Sequence, residues 1–247
     1  MLSGSSGVIE LRQYTLRPGR RDELIHLFER EFIESQEALG MELFGLFRDA
    51  GRPDRFVWLR GFHDMATRKE ALEGFYGGPV WRAHGEAAND TMIDSDNVML
   101  LRPARPGSGF DSAMARVSGP LLCRTWSFSD SEECSAFGYR FLKEIQRRSA
   151  TKEGILLAAF VTEPSANTYP KLPVREHEYN FVAFTSGISS GDLPSHASEG
   201  AEVMELIPTS RSRIQFCGGA VGSMGPAATP VNGNTRHKGR NDAQPPS

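Results

Sequence analysis

Arg12 and Tyr14 stand two positions apart in Glu10-Leu11-Arg12-Gln13-Tyr14-Thr15-Leu16, and Arg124 and Trp126 repeat the spacing in Leu122-Cys123-Arg124-Thr125-Trp126-Ser127-Phe128. Side chains alternate along a strand, so Glu10, Arg12 and Tyr14 share one face while Ile9 and Leu11 share the other. By the same parity Trp58 and Arg60 oppose Val57 and Leu59, and Glu205 opposes Met204 and Leu206. Guanidinium groups against an aromatic wall can hold a carbonyl, carboxylate or enolate, and can stabilise an oxyanion as it forms. Arg12 and Arg124 are the candidates for that role. Tyr14 or His84 would move a proton, an imidazole being the side chain that titrates near neutrality. Trp81 precedes His84 by three positions, so the two share a helix face. Trp58, Trp81 and Trp126 would form the walls of the site, with Glu10, Arg60 and Glu205 beside them. His177 ends a long 163–178 loop, next to Arg175 and Glu176, and a loop of that length suits a lid. The chemistry expected is proton transfer, cyclisation, isomerisation or oxygenation of a small hydrophobic or aromatic carbonyl compound, with no cofactor and no metal. The rival reading is that the arginines and glutamates only neutralise one another, because an isolated buried charge is expensive. The protein would then be a non-catalytic binding module or a self-associating scaffold.

Other constellations carry less. Asp94-Ser95-Asp96-Asn97 alternates carboxylates as calcium loops do, but lacks the glycine and terminal glutamate of such a loop, and a turn before a strand explains it. His84 or His177 as a haem ligand is a minor reading. His26, His63 and His196 read as solvated or satisfied histidines. The sequence contains no CxxC, HExxH, GxGxxG or P-loop.

The elements that must position these residues come twice. Arg55-Phe56-Val57-Trp58-Leu59 resembles Asn180-Phe181-Val182-Ala183-Phe184, and Val98 to Pro103 resembles Val203 to Pro208, in the same order as the two Arg-bearing strands. Between the strands, Leu24, Leu27, Phe28, Phe32, Ser35 and Leu39 trace a helical stripe that Gly40 ends. A second helical region runs from Met65 to about Asn89, interrupted at Gly77-Gly78-Pro79. In the second half a helix starts at Asp130, with Phe137, Phe141 and Ile145 in line, and the second helix is cut short between Ser189 and Ala201. Each half reads as βαββαβ. One such unit leaves a sheet face bare, and two can close their bare faces into a barrel. The polar faces above are expected to line its lumen. The expected boundaries are a first repeat at 8–103, a linker at 104–119, a second repeat at 120–217 and a disordered tail at 218–247.

Composition narrows the classes of function. The chain has 247 residues, with 28 basic against 31 acidic and a net charge of −3, which argues against a general nucleic-acid binder. No apolar run approaches the ~20 residues that span a bilayer. Met1 to Gly7 are small and polar, without an apolar signal core, and Cys123, Cys134 and Cys217 make no disulfide framework. A cytoplasmic protein is expected, with a small-molecule ligand or substrate as partner and a homo-oligomer left open.

Val8-Ile9-Glu10-Leu11-Arg12-Gln13-Tyr14-Thr15-Leu16-Arg17-Pro18-Gly19 resembles the opening of NIPSNAP-family domains. Arg55 to Phe62, Phe75-Tyr76-Gly77-Gly78-Pro79-Val80-Trp81 and Asp94-Ser95-Asp96-Asn97-Val98 resemble later blocks, as do Asn167 to Glu176 and Pro208 to Ser212 in the second half. The resemblance implies an α+β fold: two ferredoxin-like repeats forming an intramolecular dimeric α/β barrel. Related barrels include cofactor-free monooxygenases, lactone isomerases and haem enzymes. No catalytic motif transfers residue by residue, and the two half-cavities are expected to differ.

Overall fold

The computed structural model describes residues 6–110, 115–149 and 154–217. The expected disordered tail at 218–247, with His237, lies outside the described residues.

Strand β1 (Val8–Leu16) leads through Gly19, whose φ is +77°, into α1 (Arg21–Leu27). The helix does not run on regularly. It passes through a π-helical turn (Phe28–Phe32) into α2 (Ile33–Glu37), and Gly40 at φ +84° reverses the chain. Strands β2 (Glu42–Asp49) and β3 (Arg55–Phe62) follow. Asp64 caps α3 (Met65–Tyr76), with its carboxylate accepting from Thr67 N at 2.8 Å. Pro79 opens α4 (Pro79–Asp90), as its fixed φ and missing N–H favour. The half closes with β4 (Met92–Asp94) and β5 (Val98–Pro103).

The segment expected as a linker carries β6 (Ala115–Val117). The second half then runs β7 (Leu121–Phe128), α5 (Ser131–Ser149), β8 (Ile155–Thr162), β9 (Tyr179–Ser186), β10 (Glu202–Pro208) and β11 (Ile214–Phe216). Two short 3-10 turns, Ser190–Asp192 and Ser195–Ala197, stand where the shortened helix was expected. Strands β6 and β11 pair parallel as a separate ribbon.

The main sheet runs β3-β2-β10-β7-β9-β8-β5-β1-β4, and β1 also pairs with β3, so eight antiparallel strands close into a barrel with β4 at the end of β1. Within the barrel the order is β5-β1-β3-β2 in the first half and β10-β7-β9-β8 in the second. The halves join edge to edge through β2–β10 and β5–β8. Closure leaves these eight strands without a free edge.

An eight-stranded barrel is just wide enough to be filled by side chains. Ile9, Leu11, Phe47, Val57, Leu59, Met99, Leu101, Cys123, Phe160, Val182, Phe184, Met204 and Leu206 fill this one as a continuous buried apolar cluster drawn from both halves. A second cluster, with Tyr14, Trp58, Phe28, Phe32, Leu72 and Phe75, lies between the first half's strands and its helices. A third, with Trp126, Phe137, Phe141, Ala159 and Phe181, lies under α5. The parity was therefore read correctly and the faces were exchanged. Glu10, Arg12, Tyr14, Trp58, Arg60, Arg124 and Trp126 point to the helices, not into the lumen. Glu205 is exposed on β10 and does not line the lumen either. The physical reason is that β1, β3 and most of β7 are covered on both faces. The narrow lumen takes branched apolar side chains, and the helix side has depth for guanidinium groups.

Candidate functional site

The register of β1 and β3 sets Glu10 opposite Arg60 and Arg12 opposite Trp58. Glu10 is the centre of a network that is almost wholly removed from solvent, with Glu10, Arg12, Arg60 and Arg68 each at most 1 % exposed. Arg12 Nη1 donates to Glu10 Oε2 at 2.8 Å, and Arg60 Nε donates to the same oxygen at 2.8 Å. Arg60 Nη2 also lies 2.8 Å from it, out of line for a hydrogen bond. Arg68, reaching down from α3, donates Nε to Glu10 Oε1 at 2.7 Å. Arg12 Nε donates to Tyr14 Oη at 2.9 Å, and Arg60 Nη1 to Gln36 Oε1 at 2.8 Å.

The electrostatics follow from that count of three cations around one carboxylate. Burial alone would raise the Glu10 carboxyl; the attraction of Arg60, Arg12 and Arg68 outweighs it and holds the group well below the usual carboxylate range. Burial lowers the Arg68 guanidinium, against the pull of Glu10. Burial also raises the Tyr14 phenol, which keeps its proton at neutral pH. Arg68 Nη2 and the Trp58 indole N–H are buried without a hydrogen-bond partner among the described residues.

An aromatic cage adjoins the charges. The guanidiniums of Arg12 and Arg60 lie over the Trp58 ring, 5.5 and 5.1 Å from its centroid. Beyond it, Phe28 is 4.7 Å from Trp58, and Trp81 touches Tyr76, Phe32 and Phe75 at 4.7, 5.6 and 5.7 Å. These rings enclose a residual cavity of about 20 Å³. Outside Tyr76, a surface groove of about 550 Å³ runs between Lys69 and Glu73 of α3 and the segment Thr168–Lys171. Tyr76 lines both spaces.

The long loop between β8 and β9 is what covers this side. Its length suggested a lid over the barrel mouth; it lies instead on α3. Arg68 Nη1 donates to Asn167 Oδ1 and Thr168 Oγ1 at 3.1 and 3.3 Å, Thr168 Oγ1 donates to Met65 O at 3.1 Å, and Tyr169 stacks on Tyr76 at 6.0 Å.

The second half does not reproduce the network. Leu122 occupies the place of Glu10, so Arg124 has no carboxylate and donates instead to Thr185 Oγ1 and Ile188 O at 2.5 and 2.7 Å. Burial lowers its guanidinium. The Trp126 indole donates to Glu199 O at 3.2 Å, and Phe137, Phe141 and Phe181 close around it. His84 does not enter the buried network. It sits part-exposed on α4 with Nε2 3.5 Å from Glu31. His177 lies apart as well, exposed on the β8–β9 loop. Asp94 closes a turn by accepting from Asp96 N at 2.8 Å. Among the described residues no group of three or more metal-ligating side chains is present, and no helix is long and apolar enough to cross a membrane.

Arg68, Gln36, Tyr76, Asn167 and Thr168 were not singled out from the sequence. Arg68 had a signal: with Ala71, Leu72 and Phe75 it falls on one helical stripe, all buried in the structure. Asn167 and Thr168 had only the family resemblance of the block Asn167 to Glu176, which named no contact, because their partners lie about a hundred positions away.

Fold and site together define an antiparallel α/β barrel whose polar centre lies between sheet and helices rather than in the lumen. Residues 9–106 match the NIPSNAP family model. No curated protein matches the chain. Among solved structures, a "putative monooxygenase" from Lactobacillus acidophilus NCFM is similar over 82 % of this chain and 94 % of its own, with 14 % identity and a TM-score of 0.52. That likeness establishes the shared fold. An uncharacterised NIPSNAP-like domain protein from Burkholderia xenovorans aligns with 40 % of this chain and 86 % of its own, at 27 % identity and a TM-score of 0.37. A "putative monooxygenase" from Fusobacterium nucleatum aligns with 83 % of this chain and 93 % of its own, at 9 % identity and a TM-score of 0.47.

Proposed function

We propose that the chain binds a small aromatic or hydrophobic molecule bearing an anion-forming carbonyl, on the helix side of its first half, and acts on it without a cofactor. The observation that carries this reading is the charge balance. Three guanidiniums face one carboxylate, all within 1 % of full burial, beside a cage of aromatic rings. Unbalanced buried charge is costly, and an anion with an aromatic body would offset it. Arg12 would stabilise an enolate or similar oxyanion, and the protonated Tyr14 phenol beside it would supply or take the proton. Trp58 and Trp81 would hold the ring. Tyr76 would be the door from the outer groove, with Tyr169 stacked on it. On this reading His84, Arg124, Trp126, Glu205 and His177 take no part in that site. The duplicated organisation, 8–103 and 120–217 as two ferredoxin-like repeats, belongs to the same proposal; the matching strand orders of the two halves support it. The second repeat would supply barrel closure and the loop that covers the first.

The rival reading, a non-catalytic scaffold, is favoured by the closure of the cavity to about 20 Å³. Titration with 1-hydroxy-2-naphthoate against its neutral analogue 2-naphthalenemethanol separates the two. The proposal expects the anion to bind at least about tenfold tighter, some 1.4 kcal/mol, and Arg68→Gln to remove most of that difference. Equal binding of the two compounds, or none of either, rejects it in favour of the scaffold.

A further inference from the structure

Apart from the network just described, a cavity of about 410 Å³ lies between the start of α5 and the two ends of the β8–β9 loop. Its floor is Val161 and Thr162 at the end of β8, its back is Ser131, Cys134 and Ser135 of α5, and its rim carries Arg102, Glu163, Arg175, Glu176, His177 and Tyr179. A recess of this size falls in the range that small-molecule sites occupy.

The charges on that rim are not all spent on one another. Arg175 is taken up by Glu178, through Nε to Oε1 at 2.9 Å and Nη2 to Oε2 at 2.8 Å. Arg102 has no carboxylate within ion-pair distance among the described residues. Among the described residues Glu163 accepts only from Ser165, through N and Oγ at 3.0 and 2.6 Å, and Glu176 only from Asn167 N at 3.2 Å. Among the described residues the cavity therefore offers one cation without a carboxylate and two carboxylates that have hydrogen bonds but no cation. Val161, Pro164 and the Tyr179 ring give it apolar surface as well.

The backbone at this rim is unusual. His177 is the one non-glycine residue with a left-handed backbone among the described residues, at φ +61°. That conformation costs a side-chain-bearing residue of order 1 kcal/mol or more, and such positions gather at ligand sites. Here it stands between Glu176, turned to Asn167, and Glu178, turned to Arg175.

We propose that this cavity is a second ligand site, separate from the buried arginine network, and that it takes a small zwitterion of the amino-acid type. Arg102 holds the carboxylate, Glu163 and Glu176 hold the ammonium, and Tyr179 with Val161 covers an apolar side chain. A simple anion would meet two unpaired carboxylates, and a simple cation would meet Arg102; only a ligand carrying both charges answers the whole rim.

The test is calorimetric titration of the full chain with L-phenylalanine, and with 3-phenylpropionate and 2-phenylethylamine, which each lack one of its charges. L-Phenylalanine is expected to bind at least about tenfold tighter than either. Arg102→Gln should bring L-phenylalanine down to the level of the amine, and Glu163→Gln combined with Glu176→Gln should bring it down to the level of the acid. Trp81→Ala, which alters only the first site, should leave the affinity unchanged, so failure here and failure of the first site are told apart. Equal binding of the three compounds overturns the proposal. So does the absence of L-phenylalanine binding up to its solubility limit, or binding that survives Arg102→Gln and is lost in Trp81→Ala.

Discussion

Arg68 Nη1 donates to Asn167 Oδ1 at 3.1 Å, joining α3 of the first half to a loop 99 positions further along the chain. The same guanidinium donates to Glu10 at 2.7 Å, so the loop is bonded to the centre of the buried network through one side chain. Asn167 is also the pivot of its own loop. Its amide donates to Leu172 O at 2.9 Å and its carbonyl accepts from Tyr169 N at 3.0 Å.

Asn167→Ala removes all three of those bonds and leaves Arg68 with less. Lost hydrogen bonds of this kind cost about 1–3 kcal/mol, and here the loss falls on a segment that can open without unfolding the barrel. Amide exchange at Tyr169 and Leu172 should accelerate by at least about tenfold, while exchange in β1 and β3 stays at the wild-type rate. Unchanged exchange at Tyr169 would show that Asn167 does not hold the loop.

Glu10→Gln tests the network at its centre. It deletes the one carboxylate and leaves three guanidiniums facing each other under the helices. Breaking a buried ion pair from one side costs about 3–5 kcal/mol. A denaturant midpoint lowered by that amount is expected. A change below about 1 kcal/mol would mean that the arginines reach solvent or other partners in solution.

The pH dependence has a definite sign. The Glu10 carboxyl is held below its ordinary value of 4.5 in the fold. Above that pH both folded and unfolded chains are ionised there and the full stabilisation is present. As the pH falls through about 4.5 the unfolded chain takes up the proton first, and stability drops until Glu10 itself protonates. Wild type should therefore lose more stability than Glu10→Gln between about pH 6 and about pH 3. Parallel curves for the two proteins would contradict the depressed carboxyl.

The sequence made the strands and their parity legible, because alternation and helical stripes are local patterns. It did not reveal which face was which. In a half-exposed sheet a polar face marks solvent, but here Ile9 and Leu11 are buried in the lumen while Glu10 and Arg12 are buried under helices. Polarity then carries no direction. The π-helical turn at Phe28–Phe32 left no local signature either. The site's aromatic wall was half visible: Trp58 and Trp81 stood out by type, whereas Phe28 and Phe32 read as ordinary helix core. Arg124 shows the limit of repeat reasoning. It matches Arg12 in position, but the missing acid at Leu122 changes what it can do.

Thiol chemistry gives an independent check on the faces. Burial raises the Cys134 thiol to about 11 and pushes Cys123, in the lumen, higher still, whereas Cys217 is exposed. A disulfide reagent near pH 8 should modify one thiol in the native protein, Cys217, and three after unfolding. Rapid modification of Cys123 without unfolding would mean that the barrel lumen is open to solvent.

The close approach of α4 to its own tryptophan yields a prediction whose sign depends on a second residue. A Cβ at Gly85 would lie 2.7 Å from Trp81 Cε2 and 2.9 Å from Nε1, so Gly85→Ala forces the indole to shift within its cage. Trp81 has little room to do so, with Phe32, Phe75 and Tyr76 against it. Overpacking of this kind costs about 1–3 kcal/mol. Alanine in a helix interior gains roughly 0.8–1 kcal/mol over glycine, which offsets only part of that cost. In the wild-type background Gly85→Ala should therefore be neutral to destabilising, by up to about 2 kcal/mol. Once Trp81→Ala has removed the obstruction, the helix preference acts alone, and adding Gly85→Ala should stabilise the protein by up to about 1 kcal/mol. The double-mutant cycle thus has a coupling of known direction, read from denaturant midpoints. Additive effects would place the indole away from Gly85 and remove Trp81 from the wall of the proposed site.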